Sequence, residues 1–295
     1  MIHKPVLVKE VLENLNPKEN ENFIDGTVGE GGHANEILKR IGPLGKLLGM
    51  DLDNSQIERS KVNLVDFKER IILENYSYAN VKEVVKRINF NPVNGILLDV
   101  GFSSWHLESK KGFTFQEDEC LDMRYSEKND LTARKIVNEY SENEIERILR
   151  EFGEEIFSKQ IARKILEKRK FKKIENTFEL KNIIQEAISS KFKYSKIHPA
   201  TRTFQALRIA VNEELDNLTK FLPDAFDLLE KGGRIAVISF HSLEDRIVKN
   251  FFREKEKLNQ IKILNKKPIV ASSEEVIENP RSRSAKLRAA MKISE

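Results

Sequence analysis

The sequence predicts an α/β protein, a mostly parallel sheet interrupted by a helical block. Three observations carry that expectation. Short apolar runs alternate with helix-like stretches from Phe23 to Gly101. The runs are continuously apolar rather than alternating, as expected of strands covered by helices on both faces. From about Leu107 to Lys196 no convincing strand appears, and the alternation then resumes.

Taken in order, "NFIDG" reads as a first strand and Gly32 to Arg40 as the helix after it. "KLLGMD" (Lys46 to Asp51) is a second strand, followed by a helix from Ser55 to Leu64. "RIILEN" is a third strand, Val81 to Ile88 a third helix, and "NGILLDVG" (Asn94 to Gly101) a fourth strand. In the middle block, Ile145, Ile148, Leu149 and Phe152 fall on one helical stripe, which Phe157, Ile161 and Ile165 continue at spacing four. "ENTFELKNIIQEAI" adds another amphipathic stretch. Beyond "HPATRTFQ", Phe204, Leu207, Val211, Leu215, Leu218 and Leu222 mark one long helix. "EKGGRIAVISF" gives a turn and a fifth strand, and Glu244 to Glu254 a helix. "IKILNKKPIV" and "SAKLRAAMKI" supply two more strands, suited to an antiparallel edge pair. The expected division is a discontinuous α/β domain, 1–106 and 197–295, around a helical insert, 107–196.

Composition narrows the function classes. No apolar run approaches a membrane span, and "MIHKPVLVKE" lacks the apolar core and small cleavage-site residues of a secretory signal. The single cysteine, Cys120, excludes an intramolecular disulfide and suits a reducing cytoplasm, the expected location. The histidines (His3, His33, His106, His198, His241) are not at ligand spacing, so no metal is expected. Net charge is only +4, but it is uneven: Arg246 to Glu295 holds 13 Lys/Arg against 6 Asp/Glu. Lys159 to Lys173 holds eight basic residues and one acid. Such clusters neutralise phosphates, although a solvated helix face has the same composition.

The segment "FIDGTVGEGGHANEIL" places Gly26, Gly29, Gly31 and Gly32 between the first strand and its helix, and Asp51 ends the next strand. Glycines let a backbone approach a ligand closely, a helix amino end offers N–H groups, and a strand-end acid accepts from ribose hydroxyls. The spacing departs from G-x-G-x-x-G, and Asp25 in front of the turn would repel a diphosphate. A ligand bearing a cation, such as the methionine part of S-adenosylmethionine, fits better. Asp99 ends the fourth strand, so three carboxylates (Asp25, Asp51, Asp99) end neighbouring strands. A tight strand–helix turn with no ligand is the simpler alternative.

Several segments together resemble one family: "HKPVLVKEVL", "DGTVGEGGH", "GMDLD", "GILLDVGFSS", "KGFTF", "LDMR", "FGEE", "HPATRTFQALRIAVNEEL", "SFHSLEDRIVK" and "NPRSRSAKLR". They are similar to the 16S rRNA cytosine-N4 methyltransferases, the ribosomal RNA small subunit methyltransferase H family, from His3 to Arg288. The resemblance implies a class I, Rossmann-like methyltransferase with a seven-stranded sheet, an inserted all-α domain for substrate recognition and S-adenosyl-L-methionine as methyl donor. It implies methylation of a decoding-region cytosine in 16S rRNA of the small ribosomal subunit, with no membrane involved; a homodimer is left open. By motif match, the cofactor contacts fall on Gly31, Gly32, His33, Asp51, Tyr76, Asp99 and His106, to which the loop adds Asp25 and Gly29. Tyr76 stands where the family commonly has Phe, Trp105-His106 where it has Pro-Gln, and Cys120 where it has Pro.

The general base is unassigned; Asp99, Asp122 and His241 are candidates, with Glu244 beside them. Asp122 could instead bind Arg124, and His241 could simply cap a helix. For RNA, the candidates are Trp105, Arg202, Arg208, Arg246 and Lys249, with the Lys159 to Lys173 stretch, Arg281 and Arg283. Three rivals stay open: a nicotinamide-dependent oxidoreductase, an RNA-binding assembly factor without activity, and a methyltransferase acting on DNA or another base.

Overall fold

The structure is a computed structural model that describes residues 5–101, 104–188 and 198–294. It divides into two compact units, Met1–Gly101 with Leu215–Glu295, and Phe102–Glu214.

The first unit begins with α1 (Val8–Leu15), β1 (Phe23–Asp25), α2 (Gly32–Arg40), β2 (Leu47–Met50), α3 (Asn54–Asn63), β3 (Ile71–Glu74), α4 (Val81–Ile88) and β4 (Val93–Asp99). The second unit contributes α5 (Ser104–Glu108), α6 (Ala133–Glu139), α7 (Glu142–Gly153), α8 (Ser158–Arg169), α9 (Thr177–Ala187) and α10 (Ala200–Asn212). The first unit resumes through α11 (Glu214–Leu228), β5 (Leu229–Ser239), α12 (Ser242–Lys257), β6 (Ile261–Ile263), α13 (Ser273–Glu278) and β7 (Lys286–Lys292).

The seven strands lie in the order β3-β2-β1-β4-β5-β7-β6. β1 to β5 pair in parallel, and β7 runs antiparallel between β5 and β6. Strand residues alternate between two cores, as a pleat requires. Ile24, Leu48, Met50, Ile96 and Leu98 face a core shared with α4, α11 and α12. Phe23, Leu47 and Leu97 face the other, shared with α1, α2 and α3. No helix of the described residues is long and apolar enough to cross a membrane.

Strands of three to four residues require close neighbours. Phe23 is registered with Gly95, where an added Cβ would lie 2.0 Å from the Phe23 ring. Gly95 is thus the space into which Phe23 packs.

The helical unit has its own core, with Ile145, Leu149, Ile161, Ile165, Leu180, Ile184 and Leu207 fully buried. Ser141 and Glu144 form a capping box at the start of α7; Thr132 caps α6 and Asn176 caps α9. Gly153 lets α7 meet α10, since a Cβ there would lie 2.7 Å from the Arg202 carbonyl.

One expectation is corrected here. Phe204 to Leu222 is two helices, because Glu213 takes a left-handed conformation (φ 50°) that ends α10. Neither Gly nor Pro marks the break, and the apolar stripe runs on in phase across it. The α10 half belongs to the helical core, so the compact insert runs from 102 to 214 where the sequence reading placed 107–196.

Gly95→Ala should destabilise the sheet unit by about 3 kcal/mol, the upper end of what overpacking commonly costs. Adding Phe23→Leu should recover part of the loss, and urea denaturation of the two variants checks the coupling.

Candidate cofactor site

The sheet's order reverses at β1: the chain moves to β2 on one side and β4 on the other. Ligands of open α/β sheets bind outside the carboxyl ends of strands at such a switch point. Register shapes the crevice here. Asp25 pairs with Gly49 of β2 and with Leu97 of β4. Asp51 and Asp99 therefore stand two residues further along their strands than Asp25. The three carboxylates are not level: Asp51 and Asp99 form the walls and Asp25 lies in the floor, 1% exposed.

The loop after β1 is tied to both neighbours. Gly26 N–H donates to Leu97 O (2.9 Å) and Val28 N–H to Met50 O (2.9 Å). Gly29 N–H donates to Asp51 Oδ2 (3.0 Å), and Asp99 N–H to Thr27 Oγ1 (2.7 Å). Ser60 Oγ, on α3, donates to Gly29 O (2.6 Å). Asp51 Oδ1 accepts from Asp53 N–H, and the Asn75 amide donates to the carbonyls of Asp51 and Leu52.

The glycines serve packing more than the sequence suggests. A Cβ on Gly26 would lie 2.8 Å from Leu98, one on Gly31 2.7 Å from Leu64, and one on Gly32 2.9 Å from Pro5. Only Gly29 faces open space, with its nearest neighbours at 3.9 Å, and its φ of +53° is one that glycine adopts without the strain a Cβ brings. Gly31, at φ +90°, is the N-cap of α2 and offers no side chain to the helix's first N–H groups.

Polar atoms gather beside this turn. His33, on the first turn of α2, is buried, and its Nε2 lies 3.7 Å from Asp99 Oδ2, too far for a hydrogen bond. His33 Nε2 and Asp99 Oδ1 are buried with no hydrogen-bond partner among the described residues. Both amide atoms of Gln56, on α3, are in the same condition, with its Oε1 facing the open position at Gly29. Buried polar groups are almost always paired, so this cluster fits a site that a polar ligand completes. Burial pushes the Asp25 carboxyl up to about 7. His33 and the Thr27 N–H oppose that shift, while Asp99 and Asp51 add to it.

The remaining sequence candidates fall as follows. Tyr76, just after β3, is exposed, with the Arg87 guanidinium 5.1 Å from its ring centre. His106 belongs to the helical unit, edge-on to Phe113 and Tyr125 with ring centres 5.2 and 4.9 Å away. Trp105, its neighbour on α5, is half-buried. Asp122 holds Arg124 through both carboxylate oxygens at 2.8 Å. Burial acts to raise the Asp122 carboxyl, but the bonds and charge of Arg124 outweigh it and hold it below its ordinary value. His241 is the N-cap of α12, and Glu244 reaches back to the N–H groups of Phe240 and His241. Arg202 donates to Glu154 O, the left-handed end of α7, and Arg208 is bidentate with Glu214. Arg246 is exposed and Lys249 half-buried on α12. Sequence reasoning missed Thr27, Gln56, Ser60 and Asn75. Thr27 stands within the loop motif itself; the other three carry no local signal.

The family model described as the MraW methylase family matches residues 1–293. A Ribosomal RNA small subunit methyltransferase H from Sulfurihydrogenibium sp. (strain YO3AOP1) is 47% identical over 291 residues, covering 99% of both chains. The protein of that name from Thermotoga neapolitana is 48% identical over 297 residues, covering 99% of this chain and 97% of its own. A Clostridium thermocellum crystal structure, named as a candidate rRNA-methylase, aligns with a TM-score of 0.50 at 12% identity, covering 99% of this chain and all of that one. At that identity the likeness concerns the fold alone.

Asp25 generates a pH test. Its folded value, about 7, lies above the 3.8 of an ordinary aspartate. Between those values the native protein retains a proton that the unfolded chain has released, so stability falls as pH rises through that window. The full effect is on the order of 4 kcal/mol. Asp25→Asn, which can still accept from Thr27 N–H, should flatten the pH dependence of thermal unfolding there and unfold at higher temperature than the parent above neutral pH.

Proposed function

Since the chain belongs to the MraW methylase family, we propose that it transfers a methyl group from S-adenosylmethionine to the exocyclic N4 of a cytosine in the decoding region of 16S rRNA. The single observation behind this reading is the carboxylate-walled crevice at the switch point, with its buried, unpartnered His33 Nε2 and Asp99 Oδ1. An acidic crevice disfavours a diphosphate and favours a cationic donor. The curated relatives, each named for the small-subunit RNA it methylates, support the RNA class of substrate.

These residues fit the donor. Asp51 accepts from the Gly29 and Asp53 N–H groups just past the end of β2, the position at which a carboxylate meets ribose hydroxyls. Tyr76 offers a ring against which an adenine packs. The amino end of α2 suits the carboxylate of the methionine part, and Asp99 and Asp25 its ammonium. When bound, S-adenosylmethionine supplies a methyl on a cationic sulfonium, already activated toward displacement.

The protein's remaining task is alignment and acceptance of a proton. Cytosine N4 is a weak nucleophile because its lone pair is delocalised into the ring. An acceptor on its hydrogens favours the tetrahedral form and removes the proton after transfer. Asp99 is the candidate at the crevice with an uncommitted oxygen. Asp122 and His241 already have structural partners. The target base must leave its stack to enter, so RNA contacts belong around the mouth. Arg246 and Lys249 on the sheet unit and, on its own unit, Trp105 are the candidates for RNA contact, and the helical insert is the recognition unit.

Incubating the protein and donor with small subunits from cells lacking it should yield N4-methylcytosine in the rRNA, read by nucleoside mass spectrometry. Asp51→Ala should weaken donor binding in calorimetry by roughly 10- to 100-fold, the value of hydrogen bonds to a charged group. Uptake of a dinucleotide with indifference to S-adenosylmethionine would overturn the reading.

A further inference from the structure

The stretch Lys159 to Lys173 follows the periodicity of α8 until Arg169 and then turns. Most of its charges are engaged. Arg163 and Lys164 meet Glu167, Lys168 meets Glu186, and Lys172 meets Glu179. Arg169 donates to Val137 O. Lys159, Lys170 and Lys173 are exposed and have no ion pair among the described residues. Between the last two stands Phe171, 90% exposed, while Ile174 three residues on is buried at 2%. The turn after α8 therefore directs Ile174 into the helical core and leaves a whole aromatic ring in water among lysines.

A solitary surface apolar residue needs no explanation. An exposed aromatic ring flanked by unpaired cations is different, because it is the combination by which proteins hold single-stranded nucleic acid. The base stacks on the ring and the flanking cations meet the phosphates on either side. The sequence order Lys170-Phe171-Lys172-Lys173 puts three lysines within two residues of the ring. An acidic protein surface would satisfy the lysines but give the ring nothing specific.

We propose that Phe171, with Lys170 and Lys173, is a docking point for an unpaired base and its phosphates in the RNA substrate, separate from the residues of the cofactor crevice. This rests on the reading that the substrate is RNA. The test uses the full chain, a short fluorescein-labelled single-stranded RNA of mixed sequence, and a polyglutamate peptide as second probe. Phe171→Ala should weaken RNA binding roughly 5- to 150-fold, the range for losing one stacked base. Phe171→Tyr should restore it. Lys170→Ala with Lys173→Ala should reduce the salt slope of binding by about 1.4. All variants should bind S-adenosylmethionine as the parent does, because Phe171 is none of the crevice residues and is too exposed to support the fold. Unchanged RNA affinity in Phe171→Ala overturns the inference, as does a loss confined to the polyglutamate probe. If the parent methylates small subunits and Phe171→Ala keeps its KM for them, the inference fails and the function stands. If the parent methylates none, the function fails, while the RNA-binding arm still decides this surface.

Discussion

The cofactor crevice depends on β1 ending before its neighbours, one residue short of β2 and two short of β4. Asp25 is level with Gly49 and Leu97, so β2 and β4 continue past it to Asp51 and Asp99. A notch of this kind at the centre of a parallel sheet exposes backbone amides that the ladder no longer uses. The loop answers by bonding sideways, to Met50 O and Asp51 on one wall and to Leu97 O on the other, while Thr27 accepts the N–H of Asp99. The walls thus hold the loop, and the loop holds the walls at a fixed spacing. Strands this short could not do so alone; the Phe23–Gly95 contact and the two apolar cores fix their register.

The same notch explains the electrostatics. A carboxylate at a strand end in water is an ordinary, ionised group. Deeper in the notch it loses water, and neither the charge of His33 nor the Thr27 N–H offsets that loss, so Asp25 shifts upward. Beside it, His33 Nε2 and the wall residue Asp99's Oδ1 are buried with no hydrogen-bond partner among the described residues. An arrangement that leaves polar atoms unpaired costs stability. Its retention beside a loop otherwise bonded at nearly every amide favours a ligand that completes it.

Much of this was legible in the sequence, and the reasons are local. Continuous apolar runs located the strands, because both faces of a parallel sheet are covered. The acids at the ends of β1, β2 and β4 marked the carboxyl edge. Depth was not legible, since it comes from register between strands far apart in the chain. For the same reason the glycines were read as ligand clearance, when Leu98, Leu64 and Pro5 set the need for three of them. The break at Glu213 escaped because a left-handed glutamate has no sequence signature comparable to glycine. Gln56 and Asn75 were invisible as site residues: each acts through a neighbour that folding alone supplies.

Partner geometry also narrows the chemistry. A group that accepts a proton during turnover must have a lone pair not already committed in the folded protein. Asp122 directs both oxygens at Arg124, and that bond holds it ionised but occupied. His241 is tied to the start of α12 through its Nδ1, and its Nε2 lies 3.0 Å from Glu244 Oε1. Arg208, a match for RNA phosphate on composition, is closed by Glu214. These residues belong to long, specific motifs, yet their specificity is structural: they join elements that must meet. Asp99 differs. Its backbone N–H is anchored by Thr27, and its Oδ1 is buried beside the crevice's polar cluster with no hydrogen-bond partner among the described residues. Rigid placement combined with unspent bonding capacity is what a group that positions an amino nitrogen requires.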